Sequence, residues 1–393
     1  DGLGGRGEAE LAHARRFAAW LRERLPIAAA EPDIAFDELD AMLPHLLVIP
    51  DRVWRTVPEL AVDVVEHLVE IAQVRGPLEP YLAAADRAVD AALAGAPGRV
   101  ASALSARASI RLRIGATSAA RADLAQARAG VTDPAILAWL DSNRAVADAQ
   151  DGRLPEAIAT LTAAIPALRG LRRVAALANV AALRINHGER SDDVEAATRA
   201  ALAEALEAGR PIVAASVRAN LGLLLARRGR LDEAEAVLVE AIASHRRYGV
   251  VRHEVAAIAS LAAVRLDQGR LVDADAIAAE AEALARRIVF PQALGAIVAF
   301  RAMLELELGD PVDGLRRLDE ADALLAVPPP DHPAIRAALL AAAERWADAE
   351  RVLDGIADPE LAAAAAAHVR RQPPERPPHS PVARYLARCA PGA

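Results

Sequence analysis

Apolar and polar positions along the chain keep a helical beat. Over 213–228, Val217, Leu221, Leu224 and Leu225 recur at i, i+4, i+7 and i+8, which puts them on one side of a helix. Gly229 follows, in the place where a helix ends most readily on a residue free to take a positive φ. Leu231 opens a second stretch with Asp232 and Glu233 in its first turn, where the helix dipole favours acids. Ala234, Leu238, Ala241 and Ile242 then share one face. Gly222 and Ala234 are small, which predicts a close approach of the two helices. Such a pair cannot bury its apolar faces alone, so neighbouring pairs must stack.

The beat has a longer period as well. Gly152-Arg153-Leu154-Pro155-Glu156-Ala157, Gly229-Arg230-Leu231-Asp232-Glu233-Ala234 and Gly269-Arg270-Leu271-Val272-Asp273-Ala274 are copies of one turn, with weaker copies at Gly76, Gly115, Gly188 and Gly309. Successive glycines lie 39, 37, 36, 41, 40 and 40 residues apart. A further copy, Glu344-Arg345-Trp346-Ala347-Asp348-Ala349, lacks the glycine. The Gly188 copy carries an insertion before Ala196, and Gly314 stands where an alanine is expected. The expectation is an all-α, right-handed superhelical solenoid of about eight helix-turn-helix repeats over 51–371.

The ends read differently. In a helical junction over 1–50, one amphipathic helix spans 8–23 with Leu11, Ala14, Ala18 and Leu21 on one side. A shorter helix over 36–43 should stop at Pro44. The tail over 372–393 begins with a proline-rich stretch, 372–381, that suits an extended linker. A short terminal helix over 382–389 follows.

The stretch Asn220-Leu221-Gly222, with Leu225, Gly229, Leu231, Ala234, Leu238 and Ala241, resembles the tetratricopeptide repeat. The resemblance covers roughly 58–365; it is strongest here, fair around Gly152 and Gly269, and loose elsewhere. The period exceeds that family's usual 34 residues. Ala12-His13-Ala14-Arg15-Arg16-Phe17, then Glu38-Leu39-Asp40 with Leu43, resembles the junction of STAND-class signalling ATPases. That likeness implies a nucleotide-binding domain and winged helix ahead of this segment. Asp1 in place of an initiating Met fits a piece of a longer polypeptide.

Composition narrows the chemistry. The chain has 393 residues, 54% hydrophobic but only 3% aromatic, which disfavours a β-sandwich or barrel. It has no lysine, so its 46 basic residues are all arginine, and the formal charge is −8. A general nucleic-acid binder needs a basic surface, so no direct nucleic-acid contact is expected. The single cysteine, Cys389, allows no internal disulfide and fits a reducing, cytoplasmic setting. No run reaches the ~18 apolar residues of a membrane span, so no membrane partner is expected.

Catalytic patterns are missing. A phosphate loop needs a lysine the chain does not have. No HExxH or GxSxG occurs, and His245 and His253, which straddle a turn, have no cysteine near them for zinc. No enzyme, cofactor or metal site is expected.

The candidate chemistry lies on the first helix of each pair. Asn143, Asn179 and Asn220 each stand nine residues before a turn glycine. A side-chain amide both donates and accepts, so such a ladder can clasp a peptide backbone. Tetratricopeptide domains that bind extended peptides use asparagine at this register, and the resemblance implies the same role here. The plain alternative is a polar residue tolerated on a repeat. Neighbouring positions are Ser102, Ser105, Ser109 and Arg113, then Trp139 and Ser142, then Asn186, then Ser216 and Arg227. Trp139 could anchor an apolar side chain, and Arg113 and Arg227 could pair with carboxylates. These residues suggest a recognition arm for a peptide or protein partner, regulating an attached ATPase or transcription-regulator module. A self-assembling scaffold and a small-molecule-sensing repeat domain are the alternatives.

Overall fold

The computed structural model describes residues 2–30, 32–72, 76–288, 290–325, 328–370 and 380–390, without the side chains of 2–7, 25–30 and 32–37. Every regular element among them is helical, with no strand. The chain divides into two compact units, Asp1–Val250 and Val251–Ala393.

The first unit opens with helices Gly2–Ala30 and Pro32–Leu47 and a short one, Ile49–Val53. Ala14, Ala18 and Leu21 are buried as their spacing requires, in a helix longer than the expected 8–23. Ring contacts of His45 on the second helix with Phe17 (5.6 Å) and His13 (6.2 Å) on the first tie the two helices together. The stop at Pro44 is not made: the second helix runs through it to Leu47. A helix-interior proline costs about 3 kcal/mol. Leu39, Leu46, Ile49 and Val53, all buried around it, are worth about 1.5–3 kcal/mol each when fully buried. Packing therefore overrides the local signal.

Five hairpins follow. They are Pro58–Ile71 with Glu79–Gly95, Val100–Arg113 with Thr117–Arg128, Pro134–Gln150 with Leu154–Ala164, Gly170–Asn186 with Asp192–Glu207, and Pro211–Arg227 with Leu231–Arg247. The second unit continues the pattern with Val251–Asp267 and Leu271–Arg287, Pro291–Leu308 and Pro311–Leu324, and His332–Ala342 and Trp346–Leu353. Pro359–Val369 and the terminal Pro381–Cys389 end it. Of the proline-rich stretch over 372–381, only Ser380 and Pro381 are described; the rest lies outside the described residues.

The turns explain the motif. Gly229 has φ +76°; its N–H donates to the Ala226 carbonyl (2.9 Å) and the Arg230 N–H to that of Leu225 (3.0 Å), which satisfies the last carbonyls of the helix. In three copies the motif arginine then pairs with the acid three residues on, Arg230 with Glu233 (2.6 Å), Arg270 with Asp273 (2.7 Å) and Arg345 with Asp348 (2.6 Å), whereas Arg153 turns back to Asp148 at 2.8 Å. Where the glycine is missing, Glu344 itself takes φ +59°, and the Arg345 N–H still reaches the Leu340 carbonyl at 2.8 Å. Two of the junctions between pairs close in the same way. Gly209 has φ +63° and Arg210 N–H donates to Ala205, while Gly249 has φ +62° and Val250 N–H donates to His245. At Gly188 the second helix starts four residues on, at Asp192, against two at Gly229, which accounts for the insertion.

Small residues set the helix spacing. A Cβ on Gly222 would lie 2.6 Å from Cγ of Leu238, and one on Gly314 would lie 2.6 Å from Leu339 and 3.0 Å from the Ala302 carbonyl. The glycine at 314 thus admits a neighbouring backbone.

Candidate functional site

In the first unit the opening helix of each pair packs on the opening helix of the next, from Val100–Arg113 through Pro134–Gln150 and Gly170–Asn186 to Pro211–Arg227. The second helices share no comparable seam with one another. The opening helices therefore form the tighter, inner row, and the curvature closes toward it. The far end of the unit also meets its beginning. Tyr248 and Val250 join the core built by residues 14–147, Ile212 packs against that core, and Arg210 pairs with Glu70 at 3.1 Å.

Asn143, Asn179 and Asn220 occupy one register on three successive inner helices, but their surroundings differ. Asn143 is buried, and its Nδ2 donates to Ser105 Oγ at 3.2 Å, one repeat back. Asn179 and Asn220 are half-buried, and no hydrogen bond from another described residue engages either amide. Ser142 is buried, with no partner for its hydroxyl among the described residues, so it faces the packing rather than the inner surface. Ser216 is half-buried and donates to the Ile212 carbonyl of its own helix at 3.2 Å. Ser109 does the same to Ser105 at 2.9 Å.

Trp139 is half-buried against Ala138, Leu161 and their neighbours. The Arg172 guanidinium of the next repeat lies 5.4 Å from its ring centre. That is cation–π distance. Arg113 and Asn186 are exposed. Arg227 is turned inward: its guanidinium donates to the Ile185 carbonyl at the end of the preceding inner helix. Desolvation, with Arg190 close by, lowers the pKa of Arg227 from its ordinary value. Gln150 does the equivalent job two repeats earlier, giving its Nε2 hydrogen to the Leu112 carbonyl at 3.1 Å.

No protein-family model matches the chain, and no curated protein matches it. Solved structures do. A Rap protein complexed with competence and sporulation factor superposes with a TM-score of 0.58 at 15% identity, over 98% of this chain and 99% of that one. A signal transduction ATPase with numerous domains (STAND) and a tetratricopeptide-repeat sensor, from Pyrococcus horikoshii, matches with a TM-score of 0.53 at 14% identity. That match covers 79% of this chain and 54% of the other, so the chain spans about half of the STAND protein. The chain has the tetratricopeptide-repeat fold.

Within that fold, sequence reasoning found the inner register but not which residues are already engaged there. The Asn143–Ser105 bond joins two tetratricopeptide repeats at registers one residue apart, nine and ten residues before their turn glycines, a pairing that spacing alone does not show. Arg172 reads in the sequence as part of a short basic run with Arg173 on a solvated helix face, and no spacing pairs it with Trp139. The signal for Gln150 is positional: it and Arg227 both stand two residues before a turn glycine. No helix among the described residues is long and apolar enough to cross a membrane. No group of three or more potential ligands among them could hold a metal ion.

Proposed function

We propose that the inner row of the first unit is a recognition surface for an extended peptide or protein segment, and that this chain is a non-catalytic recognition arm of a larger cytoplasmic signalling protein. The observation that carries the reading is the pair Asn179 and Asn220. They sit at one register on two helices packed side by side, with neither amide hydrogen-bonded to another described residue. An amide pair so placed offers both a donor and an acceptor to a passing backbone. Arg113 and Asn186 add exposed polar groups near the helix ends, and the Arg172–Trp139 stack offers an apolar surface with a cationic rim. Two relatives in fold lend support: the Rap protein was solved with competence and sporulation factor, and the STAND protein's repeats are its sensor. In this reading 51–371 does the recognising, 1–50 joins it to an attached ATPase or transcription-regulator module, and neither nucleic acid nor membrane is touched.

The test avoids Asn143, whose loss would strand Ser105 and confound binding with stability. A displayed random-peptide library is selected on the wild-type chain, and a selected peptide is titrated against the Asn179→Ala/Asn220→Ala variant. The expected result is at least a tenfold weaker Kd with an unchanged unfolding midpoint. Equal affinity of the two proteins would sink the reading.

A further inference from the structure

The second unit has an inner row of its own: Val251–Asp267, Pro291–Leu308, His332–Ala342 and Pro359–Val369 pack in succession. The terminal helix Pro381–Cys389 does not behave like the outer helix of a pair. It packs on Pro359–Val369 and also meets His332–Ala342, and its end reaches Glu307, two inner helices back from its own partner. Arg388 Nη2 lies 3.2 Å and Cys389 Sγ 3.0 Å from Glu307 Oε1. The helix therefore crosses the inner row.

Its composition fits that place. Ala383, Tyr385 and Leu386 are buried on one side, and Arg384 and Arg388 stand one turn apart. The acceptors are unusual for their position. Asp267 and Glu307 each lie two residues before a turn glycine, in the last turn of an inner helix, where the dipole disfavours an acid. Arg388 pairs with Glu307. At Asp267 partial desolvation raises the carboxyl pKa, and Arg384 and Arg388 act in the opposite direction. Two further bonds hold it: Ser380 N–H donates to Glu360 Oε1 at 2.6 Å, and His368 Nε2 donates to the Leu386 carbonyl at 2.7 Å.

We propose that the inner face of the second unit is a binding site for an amphipathic helix with two arginines one turn apart, and that Pro381–Cys389 is its resident, displaceable occupant. An external helix of the same chemistry would compete for Asp267 and Glu307. The site is separate from the asparagine pair of the first unit and does not depend on the reading given for it.

Cys389 supplies the probe, because it is the chain's one cysteine. Burial and the bond to Glu307 push its pKa up to about 12, so the docked thiol is a poor nucleophile. Maleimide labelling is timed on the full chain and on its Arg384→Ala/Arg388→Ala variant. Each is also titrated with a fluorescent peptide of sequence 380–390 in which Cys389 is replaced by serine. The variant should label at least tenfold faster and bind the peptide at least tenfold more tightly than the wild type, whose site is filled. A second variant, Asp267→Asn/Glu307→Gln, should label as fast yet bind no peptide, and it keeps the test valid if the first does not fold. Labelling at the wild-type rate in both variants, or no peptide uptake by an opened chain with its acids intact, overturns the proposal.

Discussion

Two residues before the turn glycine, the inner helices of the first unit carry Arg113, Gln150, Asn186 and Arg227, whereas those of the second carry Asp267 and Glu307. Gly269 closes its helix with the same backbone bonds as the first-unit turns, and at Gly309 the glycine N–H donates to the Glu305 carbonyl instead. At the end of a helix the free carbonyls gather partial negative charge, so a donor at this register is satisfied at home. Gln150 and Arg227 bond the carbonyl ends of their neighbours and fasten one repeat to the next. An acid at the same place repels those carbonyls and needs a cation from elsewhere, which Arg388 supplies to Glu307. One repeat register thus serves as internal fastening in one unit and as a docking point in the other.

Removing a fastening should have the largest effect on stability. Arg227→Ala removes the guanidinium bond to the Ile185 carbonyl, which keeps only the Gly188 N–H, and is expected to cost about 2 kcal/mol, the range for a hydrogen bond to a charged group. Asn186→Ala, at the same register but exposed and bonded to no described residue, should cost no more than about 0.5 kcal/mol. Urea unfolding midpoints of the two variants read the difference directly. Equal losses would mean that the register carries no fastening role.

A smaller effect, of opposite sign, is expected at Glu344. A side chain in the left-handed region costs about 1–2 kcal/mol, so Glu344→Gly should stabilise the chain by about 1 kcal/mol, less the backbone freedom that glycine adds to the unfolded state. Gly229→Ala should lose a similar amount in the first unit. Thermal unfolding of both variants checks the pair.

The smallest effect is one of pH. Burial holds the His368 pKa below its ordinary value, and the bond to the Leu386 carbonyl only partly opposes this. A histidine whose pKa is depressed on folding stabilises in its neutral form. That contribution is present above about pH 6.5, the ordinary histidine value, and is lost as pH falls through the depressed one. Urea midpoints at pH 7.5 and 5.5 should therefore differ more for the wild type than for His368→Gln.

Much of this was legible in the sequence, for physical reasons. The 3.6-residue stripe over 213–228, the glycine at each turn and the forty-residue spacing are local or periodic, and the helices and turns follow them. The helix through Pro44 was not legible, because its support comes from Leu46, Ile49 and Val53 beyond the proline. Nor was the Arg210–Glu70 contact, whose partners are 140 residues apart. In the candidate site the register could be read, but the Asn143–Ser105 bond and the inward turn of Arg227 depend on side-chain geometry that spacing does not carry. The acids Asp267 and Glu307 were visible as residues set against a helix dipole, a signal that periodicity alone does not pick out.

The turns at Gly209 and Gly249 carry one last implication. Since these two are closed by the same backbone bonds as Gly229, such turns by themselves mark no difference between odd and even helices. Parity is then carried by the side chains that alternate helices turn to the inner row. Gain of a single helix, as opposed to two, would turn every later segment inside out and present the apolar seams of the downstream array to water. Viable length changes in such a chain must come in even steps.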